Sequence, residues 1–205
     1  MDDVFQSSRL AYRAMEDNDE DKKFFHEELD SPPELLYLSD IRLLKPKSAK
    51  LSTEDYNVIV NTSLLSVMIC LPGSGNSGKE VDGKKDGESK RPIPIGFLNL
   101  SSKGKEMAQH RDSILGIAIA KAYQGKGYGP EAIKWALDWA FVHAGLHCVR
   151  LGCFSFNTNA IAVYERIGFV LEGRKRESLW VNGGWHDGLL YSILDREWKE
   201  IKGRV

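Results

Sequence analysis

Two hydrophobic periods divide the chain. Residues 64–71 form a nearly continuous apolar run with neither Gly nor Pro inside it, and 93–100 form a second, rich in large and β-branched side chains. Runs of this length and kind predict buried strands. A third strand of β-branched and small residues is expected over 113–120 and a fourth over 148–154. After the third the period changes. Ile133, Ala136, Leu137, Ala140 and Phe141 recur at i, i+3, i+4, i+7 and i+8, which lays one apolar face along a helix from about 130 to 143. Pro130 falls in its first turn, where a missing N–H is tolerated. A second helix is expected over 157–167, with Asn157 or Thr158 as its cap and Gly168 as a left-handed stop. Extended structure resumes at 169–171. Residues 178–181 and 185–194 then flank Asn182-Gly183, whose ready positive φ suits a tight hairpin. Nearer the start, 9–13 reads as a short strand and the acidic, aromatic stretch 16–29 as a helix stopped by Ser31-Pro32-Pro33. The order strand, loop, helix, strand, helix, strand, hairpin predicts an α/β fold on a mixed sheet.

Composition adds few constraints. With 205 residues, 42% hydrophobic and 28% charged, the chain suits one compact globular domain spanning 1–205. Between the two long apolar runs, residues 73–91 are almost wholly Gly, Ser, Lys, Asp, Glu and Asn, with Val81 alone to bury; a flexible solvated insertion is expected there. The 28 basic and 29 acidic residues leave a net charge of −1, no field of the kind that holds nucleic acid, so any anion site must be local. No segment approaches bilayer length, and the N-terminus lacks a basic flank and an apolar run, so no membrane association is expected. Cys70, Cys148 and Cys153 are odd in number and lack metal-type spacing. They read as buried thiols of a reducing compartment, the cytoplasm or the nucleus, with no metal.

The chemistry gathers at Gln124-Gly125-Lys126-Gly127-Tyr128-Gly129, between the third strand and the helix after it. Glycines at alternate positions let the backbone turn its N–H groups inward, just before a helix N-terminus that carries partial positive charge. That arrangement makes a phosphate cradle, to which Lys126 adds a charge. Glycines before a helix also make simple tight turns. The spacing matches neither G-x-G-x-x-G nor G-x-x-x-x-G-K-S/T, so dinucleotide and nucleoside triphosphate binding are not indicated.

Ile117-Ala118-Ile119 followed by Gln124 to Gly129 resembles the Q/R-x-x-G-x-G/A signature of the GCN5-related N-acetyltransferase (GNAT) superfamily. Downstream, the segment from Asn157 through Ala160, Tyr164 and Glu165 to Gly168-Phe169 is similar to that superfamily's N-x-x-A/S-x-x-x-Y-E-K/R-x-G-F segment. The start Ser8-Arg9-Leu10-Ala11-Tyr12-Arg13 and the Trp185-His186-Asp187 ending look most like the branch containing ribosomal-protein N-terminal acetyltransferases. The resemblance implies a mixed, mostly antiparallel sheet with a splayed strand pair and flanking helices. It also implies an enzyme that passes an acetyl group from acetyl-CoA to a primary amine by direct attack in a ternary complex. The acceptor stays open among protein N-termini, polyamines, amino acids and small amines, and the enzyme could be a monomer or a homodimer. The alternative is a non-catalytic acyl-CoA-binding module.

Carried over residue by residue, the resemblance puts the pantetheine arm along Ile117, Ala118 and Ile119, and the pyrophosphate over Gln124, Gly125, Lys126, Gly127, Tyr128 and Gly129. Asn157 and Ala160 would lie beside the arm. Tyr164, with an unperturbed pKa of about 10, would serve the departing thiolate as a proton or hydrogen-bond donor, and the Ile119 N–H would meet the developing oxyanion. No base stands out. Asp112, His110 and Glu165 are candidates by position but read as solvated surface residues. His186 and Asp187, adjacent on a strand, should point to opposite faces. Trp135 and Trp139 are spaced for a stacking platform or, more simply, for packing on the sheet; Trp180, Trp185 and Tyr191 could line an acceptor pocket or a subunit contact.

Overall fold

The computed structural model describes residues 3–73 and 91–203. Its strands are β1 (Ala11–Ala14), β2 (Ser63–Leu71), β3 (Ile93–Ser101), β4 (Asp112–Ile119), β5 (Cys148–Phe154), β6 (Val170–Val181) and β7 (Gly184–Leu194), and they form one seven-stranded sheet in the order β1-β2-β3-β4-β5-β7-β6. Every neighbouring pair is antiparallel except β4 and β5. That parallel pair is joined only at its base, where Asp112, Ser113 and Ile114 face Cys148, Val149 and Arg150. Residues 115–119 and 151–154 continue without pairing to each other, each held by its outer neighbour, β3 or β7. The two strands therefore part toward their C-terminal ends, which is the expected splay.

Side chains alternate across β2: Val67 and Ile69 enter one core cluster, Met68 and Cys70 the other. The second cluster is covered by helix α1 (Asp19–Phe24), which runs on as a π turn over Phe25–Asp30, and by α3 (Ala49–Thr62); Phe25, Leu29 and Tyr56 supply its buried side chains. The larger first cluster is covered by α4 (Tyr128–Asp138), which ends in a π turn over Trp139–His143, by α5 (Thr158–Ile167) and by α6 (Asp195–Gly203). Ile133, Ala136, Leu137 and Ala140 are buried along the predicted face. All three cysteines are free and buried, and burial raises each thiol pKa.

Three elements escaped the pattern. A short helix α2 (Pro33–Ser39) starts at the proline pair that ends its predecessor, because proline is suited to a first helical turn. Helix α3 buries only Ser52 and Tyr56 and so has no apolar stripe to read. Helix α6 follows β7 directly and buries only Trp198. The two extended pieces expected around 169–181 are one strand, β6, bulged between Lys175 and Leu179 where its charged run hides the alternation. Leu71 pairs with Ile93, so the β2–β3 connection leaves and returns side by side. Apart from its flanks Gly73 and Arg91, the insertion expected at 73–91 lies outside the described residues. Among the described residues no helix is long and apolar enough to cross a membrane.

Candidate active site

The mouth between β4 and β5 is built from backbone phase. The Ala120 N–H donates to the Ile95 carbonyl at 2.9 Å. Because backbone groups alternate sides along a strand, Ala118 also turns toward β3, while Ile117 and Ile119 turn their N–H and C=O groups toward the opening. The close approach of the Ala118 oxygen to Gly96 agrees: a Cβ on that glycine would come within 2.3 Å of it. Gln124 Nε2 donates to the Ile119 carbonyl at 2.8 Å. The inner edge of β4 thus presents the Ile119 N–H and both backbone groups of Ile117. Ala118 lies between them, its side chain packed against the second core cluster.

This edge runs into the glycine loop. Gly125 and Gly127 have φ of 73° and 81°, a region that costs an L-residue roughly 1–2 kcal/mol. Gly127 caps α4 in the left-handed conformation, and the first backward bond of the helix is Glu131 N–H to the Gly127 carbonyl at 3.3 Å. The N–H groups of residues 125 and 126, of Gly127, Tyr128 and of Gly129 donate to no described residue. They form an exposed arc of donors at a positive helix end, which is suited to a polyanion. Lys126 folds back: its Nζ donates to the Ala122 carbonyl at 2.9 Å and lies 5.3 Å from the Tyr123 ring centre.

Beyond the gap, β5 leads into α5, which packs on the first core cluster. Asn157 is its cap, with Oδ1 accepting the Ala160 N–H at 3.2 Å. Tyr164 sits on the half-buried face, its ring 6.0 Å from Phe169 and 6.3 Å from Tyr191. Burial, reinforced by the Cys153 thiol, pushes its phenol pKa up to about 12. Its hydroxyl makes no hydrogen bond with any described residue. The phenol therefore stays protonated at neutral pH with its donor unspent.

Other candidates are elsewhere. Asp112, expected on the surface, has its side chain buried at the base of the splay, ion-paired to Arg150 and to Lys103. It lies seven residues, roughly 23 Å, down β4 from Ile119. His110 is on the exposed turn just before it, and both line a cavity of about 420 Å³ at that far end. Glu165 is exposed, as expected, and accepts the Tyr191 hydroxyl at 3.0 Å. Asp187 is held below the usual carboxylate range by the Glu177 N–H and by Arg174. His186 packs its ring 4.9 Å from Phe156. Trp135 is a packing residue, stacked on Tyr12 at 3.7 Å with its Nε1–H donated to the Val4 carbonyl. Trp139 packs at the margin of the core, Tyr191 is buried, and Trp180 and Trp185 are exposed against each other near the hairpin turn.

Two groupings were not foreseen. Tyr37, Phe154, Phe156 and His186 form an aromatic row at the end of β5, next to Asn157. Arg9 reaches the glycine loop, with Nη1 donating to the Lys126 carbonyl at 3.0 Å. Arg9 and His186 lie in segments that carry the family resemblance, but neither grouping could be read from the sequence, since each joins segments far apart in the chain.

The sequence profile of the acetyltransferase (GNAT) family matches residues 52–169. The Bacillus subtilis protein YdaF, named for a ribosomal N-acetyltransferase activity, is 33% identical over 174 residues, covering 79% of this chain and 94% of its own. A spermidine N(1)-acetyltransferase of Vibrio cholerae is 38% identical over 89 residues, 43% of this chain and 51% of that protein. The crystal structure of spermidine N-acetyltransferase from Vibrio cholerae, in complex with CoA and spermine, superposes with a TM-score of 0.70 at 26% identity, covering 94% of this chain and 99% of that one. With its parted strands, its glycine loop and these relatives, the chain belongs to the acetyltransferase (GNAT) family and is an acetyl-CoA-dependent N-acetyltransferase.

Proposed function

We propose that a primary amine attacks the thioester directly while both substrates occupy the splay. The carrying observation is the continuity of free donors from the inner edge of β4 into the start of α4, together with an unbonded phenol on α5. In this reading the pantetheine amides pair with Ile117 like an added strand, which leaves the Ile119 N–H for the thioester end. The diphosphate lies over the amides from Gly125 to Gly129, with Gln124 tying the loop to the strand. Asn157 and Ala160 flank the arm. The amine nitrogen bonds to the carbonyl carbon, and the charge gathering on its oxygen meets the Ile119 N–H. As the C–S bond breaks, the CoA thiolate takes the Tyr164 proton, the attacking nitrogen releases its own to water, and water returns one to the Tyr164 oxygen. No metal takes part.

The names of the relatives point to ribosomal and polyamine acceptors, which share a primary amine. A thiol-release screen with acetyl-CoA across peptide N-termini, polyamines, amino acids and small amines tests the reading. Turnover with at least one primary-amine class is expected. Tight CoA binding with no thiol release from any class would leave only an acyl-CoA-binding module.

A further inference from the structure

One charged group at the loop has no part in the reaction above. Glu131, in the first turn of α4, gathers the hydroxyls of Ser7 and Ser8 at 2.7 and 3.0 Å, the Arg9 N–H at 2.8 Å and Arg9 Nε at 2.8 Å, with Arg9 Nη2 at 2.7 Å. Burial alone would raise its carboxyl pKa, but these bonds hold it below the usual range. The same guanidinium donates through Nη1 to the Lys126 carbonyl at 3.0 Å and lies 4.8 Å from the Tyr128 ring centre. Packing is close enough that a Cβ on Gly127 would meet Arg9 Nη2 at 3.2 Å.

The peptide plane gives this contact a consequence. In a trans peptide the C=O and the next N–H point in opposite directions. Drawing the Lys126 carbonyl toward Arg9 therefore aims the Gly127 N–H away from Arg9, into the arc of free donors. It also turns a partial negative charge away from the place where a polyanion would sit. The ion pair acts in the same sense, because an unpaired Glu131 carboxylate within the first turn would repel that anion.

We propose that Arg9 is a positioning residue of the donor site. It orients the Lys126–Gly127 peptide and neutralises Glu131, so that the loop accepts the diphosphate of CoA. The proposal rests on the reading of the loop given above and concerns the diphosphate alone, not the thioester end.

The test compares two donors, acetyl-CoA and S-acetylpantetheine, which lacks the diphosphate. Arg9→Gln should raise KM for acetyl-CoA by about tenfold or more with kcat within about twofold, and leave kcat/KM for S-acetylpantetheine unchanged. Adding Glu131→Gln should recover much of the loss, because the exposed carboxylate is then gone. Arg9→Lys, which keeps the charge but not the planar fork, should fall between. An unchanged KM for acetyl-CoA, or an equal loss with both donors, overturns the proposal. Should Arg9→Gln fold poorly, Arg9→Lys and the double variant carry the same comparison. If the wild-type chain itself binds no CoA, the reading of the loop fails instead, so the two failures are distinguishable.

Discussion

Removing one oxygen from Tyr164 separates chemistry from binding. The hydroxyl has no partner among the described residues, so Tyr164→Phe strands no donor or acceptor. The ring keeps its contacts with Phe169 and Tyr191. Removing a hydroxyl that makes no protein hydrogen bond and still meets solvent should leave stability within about 0.5 kcal/mol. The rate should respond far more. A positioned general acid contributes roughly 10²–10⁴-fold, or about 3–5 kcal/mol of barrier at 1.36 kcal/mol per decade. Steady-state thiol release reads this only if chemistry limits turnover, so acetyl transfer should also be followed in a single turnover with enzyme in excess. The expected result is a drop of about 10² or more in the single-turnover rate, with the rise in Tm on adding CoA intact. A single-turnover rate within about threefold of wild type would refute the acid role, whatever the steady-state value.

Gly127→Glu imposes a Cβ at a φ of 81° and puts a carboxylate among the free amides. It should cost about 1–2 kcal/mol in stability and abolish the Tm rise that CoA produces by binding the folded state; a full Tm rise would exclude the loop as the diphosphate site. The pH profile has a definite sign. The Tyr164 proton is retained up to about pH 12, so kcat/KM should climb as the acceptor amine loses its proton and show no falling limb below about pH 10. A falling limb centred near pH 9 would assign the acid to another group.

What the sequence discloses follows from which interactions are local. The face of α4, the cap at Asn157 and the stop at Gly168 each depend on residues a few positions apart, and all can be read from the chain. So can the glycine loop, whose positive φ values only glycine adopts cheaply. Helix α3 was hidden because one buried Tyr and one buried Ser make no stripe. The burial of Asp112 was hidden for another reason: it depends on Arg150 and Lys103 arriving from other elements, and a carboxylate alone reads as surface. Arg9 and Glu131, 122 residues apart, meet only because the first strand's approach passes the start of α4. The open edge of β4 lay between these extremes. It needed the β3 register before the direction of Ile117 and Ile119 followed.

The central claim is that the parted strands and the glycine loop together hold acetyl-CoA. A crystal structure of the chain with CoA tests it most directly. Diphosphate oxygens should lie within hydrogen-bond distance of the amides from Gly125 to Gly129, with pantetheine amides paired to Ile117 and the sulfur beside the Tyr164 hydroxyl. CoA bound elsewhere, such as in the cavity at the Asp112 end of β4, would contradict the account.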